Sequence, residues 1–213
     1  LLTSAAHARQ KGKTMARRDV EFVQGEYYHI YNRGANRMSI FRDVKDYADV
    51  LGAMNEYGKK LKISIIAYCL MVNHFHWLVR QDGEAPAGLL SQRVYNGYSK
   101  RFNARYNHSG TIFASRFKAI HVDKDEYLDH LCCYIHANPV KDRFALTPEL
   151  WPYSNYHEWL GLRNGNLVDH QFIAENFPDR EQYRKRVQDY LTGRTQLPPA
   201  FRTYLENLWR DEE

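Results

Sequence analysis

Two histidines one residue apart, His74 and His76, sit in the run Asn73-His74-Phe75-His76-Trp77-Leu78-Val79. The run reads as a strand, and side chains on a strand alternate between its faces. Both imidazoles therefore project from the same side of the sheet. Two neutral imidazoles aimed at one point form a partial site for a divalent metal. Later in the chain, Tyr134 and Asn138 stand four apart in Tyr134-Ile135-His136-Ala137-Asn138-Pro139. On a helix those two share one face. A metal on two His nitrogens and an amide oxygen would polarise and orient a phosphate. A deprotonated tyrosyl oxygen can attack that phosphate and hold it covalently. The product keeps the energy of the broken bond, so a free 3′-OH can reverse the step. Together these residues suit phosphodiester transesterification on nucleic acid.

Each residue alone has a plainer reading. Ten histidines and sixteen tyrosines are spread through the chain, and most tyrosines must serve packing. Asn138 could simply cap a helix that Pro139 ends. Leu128, Cys132 and Ile135 form the stripe that best suits burial, which leaves Tyr134 and Asn138 on a less apolar edge.

The elements that would position this set follow from periodicity. Tyr27–Asn32 alternates and reads as a strand. Asp43–Leu61 carries Tyr47, Val50, Leu51, Met54, Tyr57 and Leu61 at helical spacing. Ile63–Leu70 is a strand by composition, Met71-Val72-Asn73 the turn, and His74–Arg80 its partner. Leu90, Val94, Tyr98 and Phe102 recur every four residues and mark a second helix of about 18 residues. Phe117–Val122 reads as a fourth strand. A third helix, capped by Asp123, is expected to stop at Asn138. The order is that of an α+β, ferredoxin-like βαββαβ fold, an antiparallel sheet with two helices on one face and the tyrosine on an added helix. The other face is expected to be open. Pro148–Tyr156 reads as a loop, and helices are expected at Asp179–Leu191 and Pro198–Trp209. The expected units are a leader at 1–18, a catalytic domain at 19–145, and a loop with a helical extension at 146–213.

The net charge of +5 comes entirely from residues 1–18, which hold Arg9, Lys11, Lys13, Arg17, Arg18 and no acid. That stretch reads as a basic leader, disordered or a remnant of expression, and it lacks the apolar core of a secretory signal. Charge distribution says more. Ala85–Val122 contains no Asp or Glu, but holds Arg93, Lys100, Arg101, Arg105, Arg116 and Lys118, interleaved with Tyr95, Tyr98, Phe102, Tyr106, Phe113 and Phe117. Such a segment suits single-stranded nucleic acid, with charges for phosphates and rings for bases. It equally describes a helix with a solvated basic face and an aromatic core face. No apolar run is long enough for a membrane helix. Cys69, Cys132 and Cys133 suggest no disulfide framework, so a reducing compartment is expected.

The segments YHIYNRGANRMSIF, YCLMVNHFHWLV, GTIFASRFKAIHV and YLDHLCCYIHANPVKD, taken in order, resemble the single-tyrosine HUH transposases, and among them the REP-associated tyrosine transposases. The resemblance covers about residues 22–160. It implies that His74, His76 and Asn138 hold Mg²⁺ or Mn²⁺, and that Tyr134 forms a 5′-phosphotyrosine. It implies a substrate of single-stranded DNA with imperfect palindromic hairpins, a monomer or homodimer, and a cytoplasmic, nucleoid-associated setting. Arg33, Asn36, Arg116 and Lys118 fall in segments expected to touch DNA. Val72 stands where relatives usually have Pro. The competing expectation is a ferredoxin-like module that binds nucleic acid without chemistry, but the RNP-type Lys/Arg-Gly-Phe/Tyr pattern is not found. A replication or mobilisation nickase is a weaker alternative, disfavoured by the chain's size.

Overall fold

The computed structural model describes residues 20–123 and 125–208, with no side-chain account at 125 and 126. The predicted leader at 1–18 and the far end of the predicted last helix at Trp209 lie outside the described residues. The chain runs β1 (Tyr27–Arg33), α1 (Val44–Leu61), β2 (Ile63–Leu70), β3 (His74–Gln81), α2 (Gly88–Tyr106), β4 (Lys118–Val122) and α3 (Asp125–Lys141). Four helices follow: α4 (Tyr156–Trp159), α5 (His170–Asn176), α6 (Arg180–Leu191) and α7 (Pro199–Asn207). The sheet order is β2-β3-β1-β4, and every neighbouring pair is antiparallel. This is the predicted ferredoxin-like arrangement.

Local chemistry sets several boundaries. Asp43 caps α1 by accepting from Lys45 N at 2.8 Å, and Asp46 returns a bond to the Asp43 N–H at 3.2 Å, a reciprocal capping box. Lys62 ends α1 in the left-handed region at φ 52°. Alternation sorts the strands into two cores. Tyr28, Ile30, Phe75, Trp77 and Val79 meet α1 and α2 on one face.

The opposite face is not open. Tyr31, Ala67, Cys69 and Leu78 pack there against α3 and the aromatic side chains Trp159, Phe172, Tyr183 and Phe201 of the C-terminal helices. An apolar sheet face needs a cover, and the C-terminal segment supplies a third layer. Part of the cover is polar. His136, on the side of α3 away from Tyr134, bonds Asn155 at 2.9 Å and Tyr183 at 2.6 Å, tying the start of α4 and α6 to the helix. The predicted loop at 148–156 contains a 3₁₀ turn at Pro148–Leu150 and leads directly into α4.

Helix α3 also departs from expectation. Pro139 lies inside it, and the helix continues to Lys141. Proline removes one N–H from the ladder, but the Asp142 N–H still reaches the Asn138 carbonyl at 2.9 Å. The turn ends only at Arg143, with φ 62°. The extra residues put Lys141 and Asp142 on the face of Tyr134 and Asn138.

Candidate active site

His74 and His76 point from β3 toward α3, while Phe75 and Trp77 fill the opposite core. Pairing with β1 sets Tyr31 beside His76 and Arg33 beside His74. Helix α3 lays Tyr134 over this face. Its hydroxyl is 3.5 Å from His76 Nε2, and the two rings meet edge-on with centroids 5.2 Å apart. All three side chains are buried. The structure thus brings together the His and Tyr residues singled out from sequence.

The hydrogen bonds of the imidazoles bear on metal binding. His74 Nδ1 lies 2.8 Å from Asn73 Oδ1, and an amide oxygen only accepts. Nδ1 therefore carries the proton, and Nε2 keeps its lone pair when the ring is neutral. His76 Nδ1 is likewise engaged, 2.9 Å from His29 Nε2. The remaining nitrogens point to α3: His76 Nε2 toward Tyr134, and His74 Nε2 toward Asp142 Oδ2 at 3.6 Å. Metal-binding histidines commonly have one nitrogen held by a partner and the other directed at the ion. Burial, aided by the Arg33 charge, lowers the His74 pKa to about 4. Burial also holds His76 well below its usual value, with the neighbouring His29 and His74 adding to the effect. Both rings are neutral at physiological pH, the state a metal requires.

Asn138 is the third residue of the set. Its Nδ2 donates to the Tyr134 carbonyl at 2.9 Å, which leaves Oδ1 as the atom able to coordinate. Among the described residues, no group of three or more His, Cys, Asp or Glu side chains could hold a metal ion. A metal centre here would take the Asn138 oxygen as its third ligand from this set. The amide oxygen suits Mg²⁺ or Mn²⁺, whereas the two imidazoles suit later first-row metals better than Mg²⁺.

Arg33, Arg37, His74, Tyr134, Asn138 and Lys141 line a cleft of about 460 Å³ at this point. Burial raises the Tyr134 pKa, and the Asn138 side chain opposes the shift. The ammonium of Lys141 stands 4.9 Å from the Tyr134 ring centre and 5.3 Å from that of Tyr190. Desolvation there lowers the Lys141 pKa, and Asp142 partly restores it. Lys141, Asp142 and Arg37 were missed by sequence reasoning. The first two were lost when the helix was ended at Pro139. His29 was missed as well, although alternation in YYHIYNR puts it on the face of Tyr31 and Arg33.

The residues expected to touch DNA divide. Arg33 lines the cleft beside Tyr134. Arg116 lines a second cleft of about 520 Å³ with Asn32, Gln92, Tyr95 and Asn96. Two buried hydroxyls at this second cleft, Ser91 Oγ and Tyr95 Oη, find no hydrogen-bond partner among the described residues. Asn36 is exposed on a 3₁₀ turn, and Lys118 is half-buried on β4 opposite Tyr31; neither lines these two clefts. The plainer reading wins along α2. Tyr95, Tyr98 and Phe102 are core residues, Arg105 bonds Asp46 and Asp49, and Arg101 pairs with Asp49 at 3.4 Å.

The family model for IS200-like transposases matches residues 22–138. Among solved structures, the chain resembles a REP-associated tyrosine transposase bound to a REP hairpin, at 20% identity and a TM-score of 0.58, covering 73% of this chain and 94% of that one. It is also similar to a transposase from Deinococcus radiodurans, at 12% identity and a TM-score of 0.39, over 57% of this chain and 95% of the other. A search of curated proteins gives no match. No helix among the described residues is long and apolar enough to cross a membrane.

Proposed function

The chain belongs to the IS200-like transposase family, and from that premise we propose that it cuts and rejoins single-stranded DNA beside imperfect hairpins through a covalent phosphotyrosine on Tyr134. The observation that carries this reading is the Tyr134 hydroxyl 3.5 Å from His76 Nε2, in a cleft that His74 and Asn138 also line. His74 Nε2, His76 Nε2 and Asn138 Oδ1 would hold the divalent ion, Mn²⁺ or Mg²⁺. When bound, it would polarise a non-bridging phosphate oxygen and neutralise charge that otherwise repels a nucleophile.

The chain's own residues do the rest. Arg33 and Arg37, lining the same cleft, bind the phosphates flanking the scissile bond. The Lys141 ammonium stabilises the phenolate that Tyr134 must form. The phenol proton leaves to solvent through the cleft, the phenolate oxygen attacks phosphorus, and the bond from phosphorus to the 3′ oxygen breaks. The phosphoryl group stays on Tyr134 as a 5′-phosphotyrosine. The released 3′ oxygen takes a proton, and Lys141, whose hold on its proton is weakened by desolvation, is placed to give it. Attack by a free 3′-OH runs the same steps backwards and rejoins the strand.

The second cleft accepts unpaired bases of the flanking strand. The half-buried Phe117 ring offers stacking, and the exposed amides of Gln92 and Asn96 offer hydrogen bonds. The test uses end-labelled oligonucleotides carrying hairpins, with Mn²⁺, with Mg²⁺ and with chelator, resolved on a denaturing gel. A protein-linked band that requires metal is the expected result. Binding without any adduct across the hairpin panel would favour the alternative of a non-catalytic nucleic-acid-binding module.

A further inference from the structure

His29 is completely buried in the middle of β1. Its Nε2 lies 2.9 Å from His76 Nδ1, and the two rings stack at 18° with centroids 5.1 Å apart. Its other nitrogen, Nδ1, bonds the hydroxyl of Tyr204 on α7. Fully buried between an imidazole and a phenol, with no carboxylate among these partners, the ring is neutral and has one N–H to give.

A chain of two neutral imidazoles and a phenol can order its protons in two directions. In one, Tyr204 donates to His29 Nδ1, His29 Nε2–H donates to His76 Nδ1, and His76 carries its proton on Nε2. That proton would point at Tyr134 and block coordination. In the other, His76 Nδ1–H donates to His29 Nε2, and His29 Nδ1–H donates to Tyr204. His76 then presents an unprotonated Nε2 toward Tyr134. On the neighbouring position, Asn73 holds His74 in the matching form.

We propose that His29, anchored by Tyr204, is a positioning residue that holds His76 as its Nδ1–H tautomer, so that the C-terminal helix α7 completes the catalytic face. The inference rests on the metal-dependent reading above. Residue 204 lies well beyond the family match at 22–138. Docking of α7 is supported by Phe201, buried against Tyr127 and His130 with ring centroids 5.6 and 5.7 Å away. The helix therefore reaches the ligand histidine through one buried ring.

The test is Mn²⁺ affinity of the full chain by titration calorimetry, with thermal unfolding of each variant. His29→Leu keeps the bulk and removes the acceptor; His29→Gln keeps an acceptor atom where Nε2 stood. The expected result is affinity weakened roughly 10- to 100-fold in His29→Leu, a smaller loss in Tyr204→Phe, and recovery toward wild type in His29→Gln. Nitrogen-15 spectra of wild-type imidazoles, recorded without metal, are expected to show His76 protonated on Nδ1. This second measurement stands even if His29→Leu fails to fold. A folded His29→Leu with wild-type affinity overturns the proposal, as does a folded His29→Gln no better than His29→Leu. A wild-type protein that binds Mn²⁺ with a bare His76 Nδ1 overturns it while the metal reading survives. A wild-type protein that binds neither ion overturns both.

Discussion

Replacing Tyr134 by Phe removes a single oxygen atom. The hydroxyl is buried, and its contact with His76 Nε2 is 3.5 Å, at the outer limit of a hydrogen bond. A net hydrogen bond contributes ~1 kcal/mol, and one this long contributes less. The ring keeps its edge-on contact with His76 and its place under Lys141. The stability change is therefore expected to stay within ~1 kcal/mol, a shift of no more than about 4 °C in a domain of this size. Hairpin binding survives, because the basic side chains of the cleft are untouched. Covalent adduct formation is lost altogether, because phenylalanine has no oxygen to attack phosphorus. The assay pairs a denaturing gel with thermal unfolding and equilibrium DNA binding. A Tyr134→Phe protein that still forms a metal-dependent adduct would refute the nucleophile assignment. One that unfolds well below wild type would show that the hydroxyl is structural.

His76→Ala abolishes the adduct and also destabilises by ~1–3 kcal/mol, because His29 Nε2 loses its buried partner; chemical denaturation and the same gel measure both. Asp46→Ala is expected to destabilise by ~3–5 kcal/mol, since this buried carboxylate accepts from Arg42 N, Asp43 N, Arg105 and Tyr106, yet DNA affinity per folded molecule stays unchanged; lost affinity in the folded variant would return α2 to the DNA surface. Acidification should unfold the protein. His29 is lowered to about 3, and His74 and His136 to about 4, so below pH 6.5 the unfolded chain binds protons the native state refuses. Their stability contribution is complete above the unfolded value and falls as pH drops toward 4 and then 3, at up to ~1.4 kcal/mol per pH unit for each. Denaturation midpoints flat from pH 7.5 to 4.5 would contradict that. Gly34→Ala places a Cβ 2.2 Å from the Met38 carbonyl oxygen and should disturb the turn that carries Arg37, lowering both stability and DNA affinity in a binding titration.

The sheet and its first two helices were legible because burial on one face writes a period into the sequence. His-x-His on β3 and the Tyr–Asn pair on α3 could be placed on faces from spacing alone, and the structure sets the imidazoles and the phenol together. What spacing cannot show is which neighbour takes up a charge. For Arg101 and Arg105 the acid-free stretch Ala85–Val122 left phosphate contact and a solvated helix face equally open, because their partners, Asp46 and Asp49, lie far away on α1. Pro139 misled for a local reason. Proline is a good stop signal, but packing of Leu131, Cys132 and Ile135 against the sheet outweighs one missing hydrogen bond, and the helix runs on. That error hid Lys141 and Asp142. The cover over the catalytic face was hidden differently. Trp159 and Phe172 come from short elements without a clear period, and their common purpose with Tyr183 of the predicted helix shows only when they meet the sheet.

That cover determines how a substrate must approach. In an open ferredoxin-like sheet, a nucleic acid could lie flat across the central strands. Here the centre of the His-bearing face is filled, with His29, His76 and Leu78 fully buried. Access to Tyr134 is by the cleft at the end of β1, where Arg33, Arg37 and His74 meet the last turn of α3. At about 460 Å³ it has the volume of a small-ligand pocket, which suits a phosphodiester and its flanking sugars rather than a duplex. A paired hairpin would have to stop outside, with its unpaired flank feeding inward. Asn32 and Arg33 are adjacent on one strand, and their side chains point to opposite faces, one lining each cleft. A strand crossing the end of β1 would therefore meet a base-binding cleft on one side and the tyrosine on the other. On the proposed reading, preference for single-stranded DNA follows from the closed third layer, without any contact that distinguishes one sequence from another.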